Sequence, residues 1–154
     1  MSTSTLVALR KEFMAQYIEP IRQTKAEQLI KQHKDQNDTL LIITATNRFI
    51  TEPISQALGI EHLLATEPEI IDGQFTGNIV GDPCFQEGKI RRLELWLQQQ
   101  SLVPTTTTFY SDSINDAPLL HYVDKPVAVD PDDALRKLAQ TQRWQIISLR
   151  DEAN

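Results

Sequence analysis

The sequence is short of several things, and each shortage removes a class of protein. Cys84 is the one cysteine in 154 residues, so no internal disulfide framework can form, and a lone thiol suits a reducing cytosol. Positive charge is outnumbered: 15 Lys and Arg against 21 Asp and Glu leave a formal net charge of −6, which argues against a nucleic-acid surface. Long hydrophobic runs are missing, and the most apolar stretch, Leu40 to Ile43, is far too short to cross a bilayer. The first ten residues, MSTSTLVALR, lack the basic start and apolar stretch of a signal peptide. A cytoplasmic location, with no membrane and no nucleic acid among the partners, is therefore the expectation. Neither an internal repeat nor a low-complexity segment interrupts the chain.

What is there is ordinary globular material. Hydrophobic residues make up 40% and charged residues 23%, in a length that can bury a real core. From Thr5 to about Gln36, apolar residues recur at spacings of three and four (Leu6, Leu9, Phe13, Tyr17, Ile21, Leu29), which predicts helix, divided near Pro20. Leu40-Leu41-Ile42-Ile43 reads as a strand covered on both faces. It stops at Thr44-Ala45-Thr46-Asn47, and a helix follows to about Leu58, closed by Gly59. Asp72-Gly73, between the short apolar segments Glu69–Ile71 and Gln74–Val80, is a hairpin signal. A helix over about Gly88–Gln100 leads to a strand at Thr106–Tyr110, which ends in Ser111-Asp112-Ser113-Ile114-Asn115-Asp116 and a short helix. Val127–Val129 is a further strand, Asp130-Pro131 looks like the cap and first residue of a last helix, and Gln145–Leu149 closes with a strand. Strands alternating with helices predict an α/β fold with a parallel sheet between helices.

In such sheets ligands sit beyond the carboxyl ends of the strands. Two strand ends here are polar: Thr44 to Asn47, and Ser111 to Asp116. Asp112 and Asp116, four apart, suit a hard cation such as Mg²⁺, which takes oxygen ligands. Each signal has a plainer reading. A threonine after a strand is usually a helix cap, an isolated Asp-x-x-x-Asp is a cap plus a surface acid, and Lys89 alone is a solvated helix residue. Asn47 and Arg48 fit capping or surface roles at least as well as a substrate role. Cys84 has no base near it in sequence, and His33, His62 and His121 lack metal-ligand spacing.

Taken in order, the signals converge. An apolar strand into threonine (LLIITATNRF, Thr44), a lysine at a helix start (CFQEGKIRRLELWL, Lys89) and an apolar strand into an acidic loop (FYSDSINDAPLL, with Asp112, Asn115 and Asp116) resemble the second, third and fourth motifs of the haloacid-dehalogenase superfamily. The likeness is to its phosphoserine-phosphatase-like branch, subfamily IB, and it covers nearly the whole chain. The fourth motif, Gly-Asp-x-x-Asn-Asp in that family, is the most specific part. The resemblance implies a Rossmann-like parallel sheet with flanking helices over residues 37–154, preceded by a helical cap remnant over residues 1–36. It also implies a Mg²⁺ site at Asp112 and Asp116, phosphate contacts from Thr44, Lys89 and Asn115, and a catalytic part for Thr44 and Lys89. The substrate would be a small phosphorylated metabolite.

The family's first motif, Asp-x-Asp-x-Thr at the end of a strand, supplies the nucleophile, and no such segment is found here. Asp35-Gln-Asn-Asp38-Thr39 precedes a strand, and Asp130-Pro-Asp132 follows a late one, where capping by Asp130 is the simpler account. The family's first strand lies between those ending at Thr44 and Tyr110. Its absence implies a chain inactive alone, with its front part lost, separately encoded or supplied by a protein partner or a second copy. A non-catalytic module that binds phosphate, Mg²⁺ or a partner is the alternative. A response-regulator-like domain is a third reading, and it would need an acidic cluster at an early strand end.

Overall fold

The computed structural model describes residues 3–151, and it divides after Cys84 into two units, each built around its own three-stranded sheet.

The first unit opens with helix α1 (Thr3–Phe13), a wider turn over Met14–Ile18 and a tight one over Glu19–Ile21 that holds Pro20. Helix α2 (Thr24–Asp35) starts afresh beyond an extended Arg22, so the proline divides the run as its missing N–H predicts. Strand β1 (Leu41–Asn47) then leads into α3 (Arg48–Ala57), which ends at Gly59 with φ +63. Strand β2 (His62–Ile71) runs parallel to β1 through its first half, Leu41 opposite His62 and Ile43 opposite Leu64. Its second half pairs antiparallel with β3 (Gln74–Val80). Asp72 and Gly73 join those two strands with φ of +50 and +73, the left-handed pair that a two-residue hairpin turn demands. The sheet order is β1-β2-β3. As a terminal strand, β1 is only half-buried at Leu41, Ile42 and Ile43, where the apolar run had predicted full cover.

Helix α3 carries Pro53 in its interior, which leaves the Phe49 carbonyl without its usual donor. Arg10 fills that vacancy: its Nη1 donates to Phe49 O at 2.9 Å, and its guanidinium lies 4.4 Å from the centre of the Phe49 ring. Helix α1 is thereby fastened to α3.

The second unit is α4 (Glu87–Gln99), β4 (Thr108–Ser111), a tight turn at Ile114–Asp116, α5 (Ala117–Tyr122), β5 (Lys125–Val129), α6 (Asp133–Gln142) and β6 (Gln145–Ile147). Its strands are parallel in the order β4-β5-β6, with Tyr110 opposite Val127 and Ala128 opposite Ile146. Leu120, Ala128, Leu135 and Ala139 are sealed from solvent, with Phe109, Leu138, Trp144 and Ile146 packed around them. Each such leucine contributes about 1.5–3 kcal/mol relative to exposure.

One expected cap is misplaced. Asp130 does not begin the last helix. It has a positive φ of +42, outside the extended backbone of a cap, and its carboxylate accepts from Leu149 N–H at 3.0 Å. Helix α6 starts two residues later than the Asp-Pro pair suggested and is capped by Asp132, which accepts from Leu135 N–H at 2.7 Å. Among the described residues, no helix is long and apolar enough to cross a membrane.

Candidate active site

The end of β4 is folded by its own short side chains. Ser111 closes the strand, and its Oγ accepts from Ser113 N–H at 3.2 Å. Ser113 Oγ in turn accepts from Asn115 N–H at 3.2 Å, and Asp116 N–H reaches Ser113 O at 3.0 Å. Serine and aspartate favour such local bonds, which is why the strand stops here instead of continuing. Asp132 holds the loop from outside. Its backbone N–H donates to Asp112 O at 2.9 Å, and its carboxylate accepts from Ile114 N–H at 2.9 Å while capping α6. The Leu135 N–H, and after it the Ile114 N–H, keep the Asp132 carboxyl below the ordinary carboxylate range.

Lys89 sits in the first turns of α4 and is only 5% exposed. A buried ammonium requires an anion, and Asp116 provides it: Lys89 Nζ lies 2.5 Å from Asp116 Oδ1. The other oxygen, Oδ2, accepts from Ser111 Oγ at 2.6 Å. Asp112 and Asn115 are exposed on the same loop. The second unit thus brings Lys89, Asp112, Asn115 and Asp116 to one strand end.

Thr44 belongs to the first unit. Its Oγ accepts from Thr46 N–H at 3.1 Å, and the polar end of β1 from Ala45 to Asn47 is exposed. Asn47 and Arg48 have structural work: Asn47 caps α3 through Ile50 N–H at 3.1 Å, and Arg48 pairs with Glu67 at 2.7 Å and donates to Leu63 O at 2.8 Å. A residue that sequence reasoning missed is Thr66. Its hydroxyl donates to Ala45 O at 2.8 Å and accepts from Cys84 N–H at 3.2 Å, so it pins the end of β1 that carries Thr44 where the β1–β2 register shifts. Nothing in the local pattern marks Thr66, because both partners are some twenty residues away. Cys84 is fully buried, as befits an inert thiol.

The donor set after β4 suits one kind of metal. No three His, Cys, Asp or Glu side chains cluster as a metal site among the described residues. Mg²⁺ asks for less, commonly one or two carboxylates with waters and substrate phosphate making up the rest, and an exposed Asp112 beside Asp116 fits that requirement.

Comparison with known proteins agrees with this frame. The family model "haloacid dehalogenase-like hydrolase" matches residues 1–121. A histidinol-phosphatase of Neisseria meningitidis is 39% identical over 153 residues, covering 97% of this chain and 69% of that protein. The phosphoserine phosphatase SerB1 of Mycobacterium tuberculosis is 34% identical over 149 residues, covering 97% of this chain and 48% of its own length. A Bordetella pertussis protein of unknown function superposes with a TM-score of 0.93 at 42% identity, over 97% of this chain and 68% of that one. The chain therefore spans about two thirds of two of these relatives and about half of the third. It belongs to the haloacid dehalogenase-like hydrolase family.

Proposed function

We propose that this polypeptide carries the metal- and phosphate-binding half of a phosphomonoesterase site and does not turn over substrate by itself. The observation that carries the reading is the buried Lys89–Asp116 pair at the end of β4, beside the exposed Asp112. In this reading Asp112 holds Mg²⁺, and Asp116 serves as the second carboxylate. Lys89 and Thr44 meet the phosphoryl oxygens, and Asn115 steadies the loop or the phosphate. Mg²⁺, when bound, neutralises charge on the phosphoryl group. The side chains contribute positioning and charge, which is most of what phosphoryl transfer asks of a protein. The substrate is a small phosphorylated metabolite, and the location is the cytoplasm.

The inactivity rests on the acids. No Asp-x-Asp-x-Thr occurs in the sequence, and the nearest substitutes are engaged elsewhere. Asp35 pairs with Lys31 at 2.5 Å and Asp38 with His33 at 2.7 Å. Asp130 and Asp132 accept backbone N–H groups. A further strand, from another chain or a second copy, would complete the site. Strands β1 and β4 each stand at the end of their sheet, with one ladder partner apiece among the described residues. Open parallel edges of this kind invite pairing.

The test is turnover of a generic aryl phosphate by the purified chain, with and without Mg²⁺, beside Asp112→Asn. The expected result is no activity above the variant. Mg²⁺-dependent turnover that Asp112→Asn abolishes would overturn the inactivity. The same engaged acids favour a second reading, a non-catalytic module that binds phosphate, Mg²⁺ or a partner. A stable stoichiometric complex with another protein, unaffected by phosphate and Mg²⁺, would favour that reading.

A further inference from the structure

We propose that Ser111 is a positioning residue for the proposed metal site, its hydroxyl fixing the Asp116 carboxylate between β4 and Lys89. The proposal rests on the reading of Asp112 and Asp116 as metal carboxylates.

Three observations carry it. First, Ser111 is 8% exposed, and its hydroxyl is used in both directions: it donates to Asp116 Oδ2 at 2.6 Å and accepts from Ser113 N–H at 3.2 Å. One oxygen atom thus ties together the start and the end of the loop that bears Asp112. Second, the two Asp116 oxygens are divided between Ser111 and Lys89, so the carboxylate plane is set by both partners. An O–H donor to a carboxylate is among the stronger hydrogen bonds, and its length here is in the range expected of one. Third, the strand does not need a hydroxyl at this position. Ser111 faces Ala128 in the ladder through its backbone, and the family motif that this loop resembles has glycine there. The side chain is therefore explained by the carboxylate it holds. Without it, Asp116 keeps Lys89, but its carboxylate plane is no longer set from both sides.

Groups that orient metal ligands are commonly worth about tenfold or more in metal affinity. The experiment is Mn²⁺ binding to the full chain, followed by electron paramagnetic resonance, for wild type, Ser111→Ala, Ser111→Gly, Ser111→Thr and Asp112→Asn, with melting temperatures measured in parallel. The expected result is Mn²⁺ affinity lowered about tenfold in Ser111→Ala and Ser111→Gly and recovered in Ser111→Thr, which keeps the hydroxyl. Ser111→Gly decides the matter if Ser111→Ala does not fold. Wild-type Mn²⁺ affinity in the alanine and glycine variants, with only their melting temperatures lowered, would make Ser111 structural and overturn the proposal. Equal Mn²⁺ binding by wild type and Asp112→Asn would instead overturn the metal reading itself, and the role of Ser111 with it.

Discussion

The two strand ends that carry the candidate residues are held in opposite ways. After β4, the candidate groups hold one another: Lys89, Asp116 and Ser111 form one largely buried network, so the groups proposed to act also stabilise the fold. At the end of β1, the scaffold and the candidate group are separate. Thr66 and Asn47 fix the strand end, while the Thr44 side chain accepts a local hydrogen bond from Thr46 N–H. The difference follows from charge. A buried ammonium needs an anion beside it, whereas a half-buried hydroxyl at a strand end needs no more than its neighbours offer.

Substitutions separate these two modes, and the largest effect belongs to the charged one. Lys89→Met leaves Asp116 buried without its counter-ion and is expected to cost about 3–5 kcal/mol in chemical denaturation. Adding Asp116→Asn to it should recover much of that loss, because the stranded charge is gone. Thr66→Val deprives the buried Cys84 N–H and the Ala45 carbonyl of their shared partner, for an expected loss of about 1–3 kcal/mol. Asp132→Ala removes the α6 cap together with the acceptor for Ile114 N–H, at about 0.5–2 kcal/mol.

The Asp132 interaction also has a pH signature. Its folded-state pKa lies below the unfolded value because Leu135 N–H, and then Ile114 N–H, stabilise the carboxylate. Its contribution is therefore complete above the unfolded pKa, about 3.9, and is lost as pH falls through the lower folded value. A denaturation series from neutral to acid pH should show wild type converging on Asp132→Ala at the acid end. The smallest effect belongs to Thr44→Ala, which should leave stability within about 0.5 kcal/mol of wild type. A large loss there would erase the distinction between the two strand ends.

Local signals were legible in the sequence wherever the cause was local. Pro20 broke the helical run, Gly59 closed α3, Asp72-Gly73 turned the hairpin, and the apolar strand into Ser111–Asp116 located the loop. Lys89 and Asp116 were both visible as candidates, but their pairing was not, since 27 residues separate them. The first half of β2 was missed because His62–Ala65 lacks alternation and owes its strand to pairing with β1. The cap of α6 slipped by two residues because Asp130 and Asp132 flank one proline and offer the same chemistry. Backbone conformation chose between them, and a positive φ at Asp130 is not written in its side chain. Arg10 serving the carbonyl that Pro53 leaves open joins residues 39 apart, a link no local pattern carries.

The measurement that bears most directly on the proposed inactivity is the intact mass of the chain after incubation with acetyl phosphate and Mg²⁺. The predicted result is an unmodified chain, in wild type and in Asp112→Asn alike. A Mg²⁺-dependent gain of one phosphoryl group, mapped to an aspartate and lost in Asp112→Asn, would contradict it and identify the nucleophile.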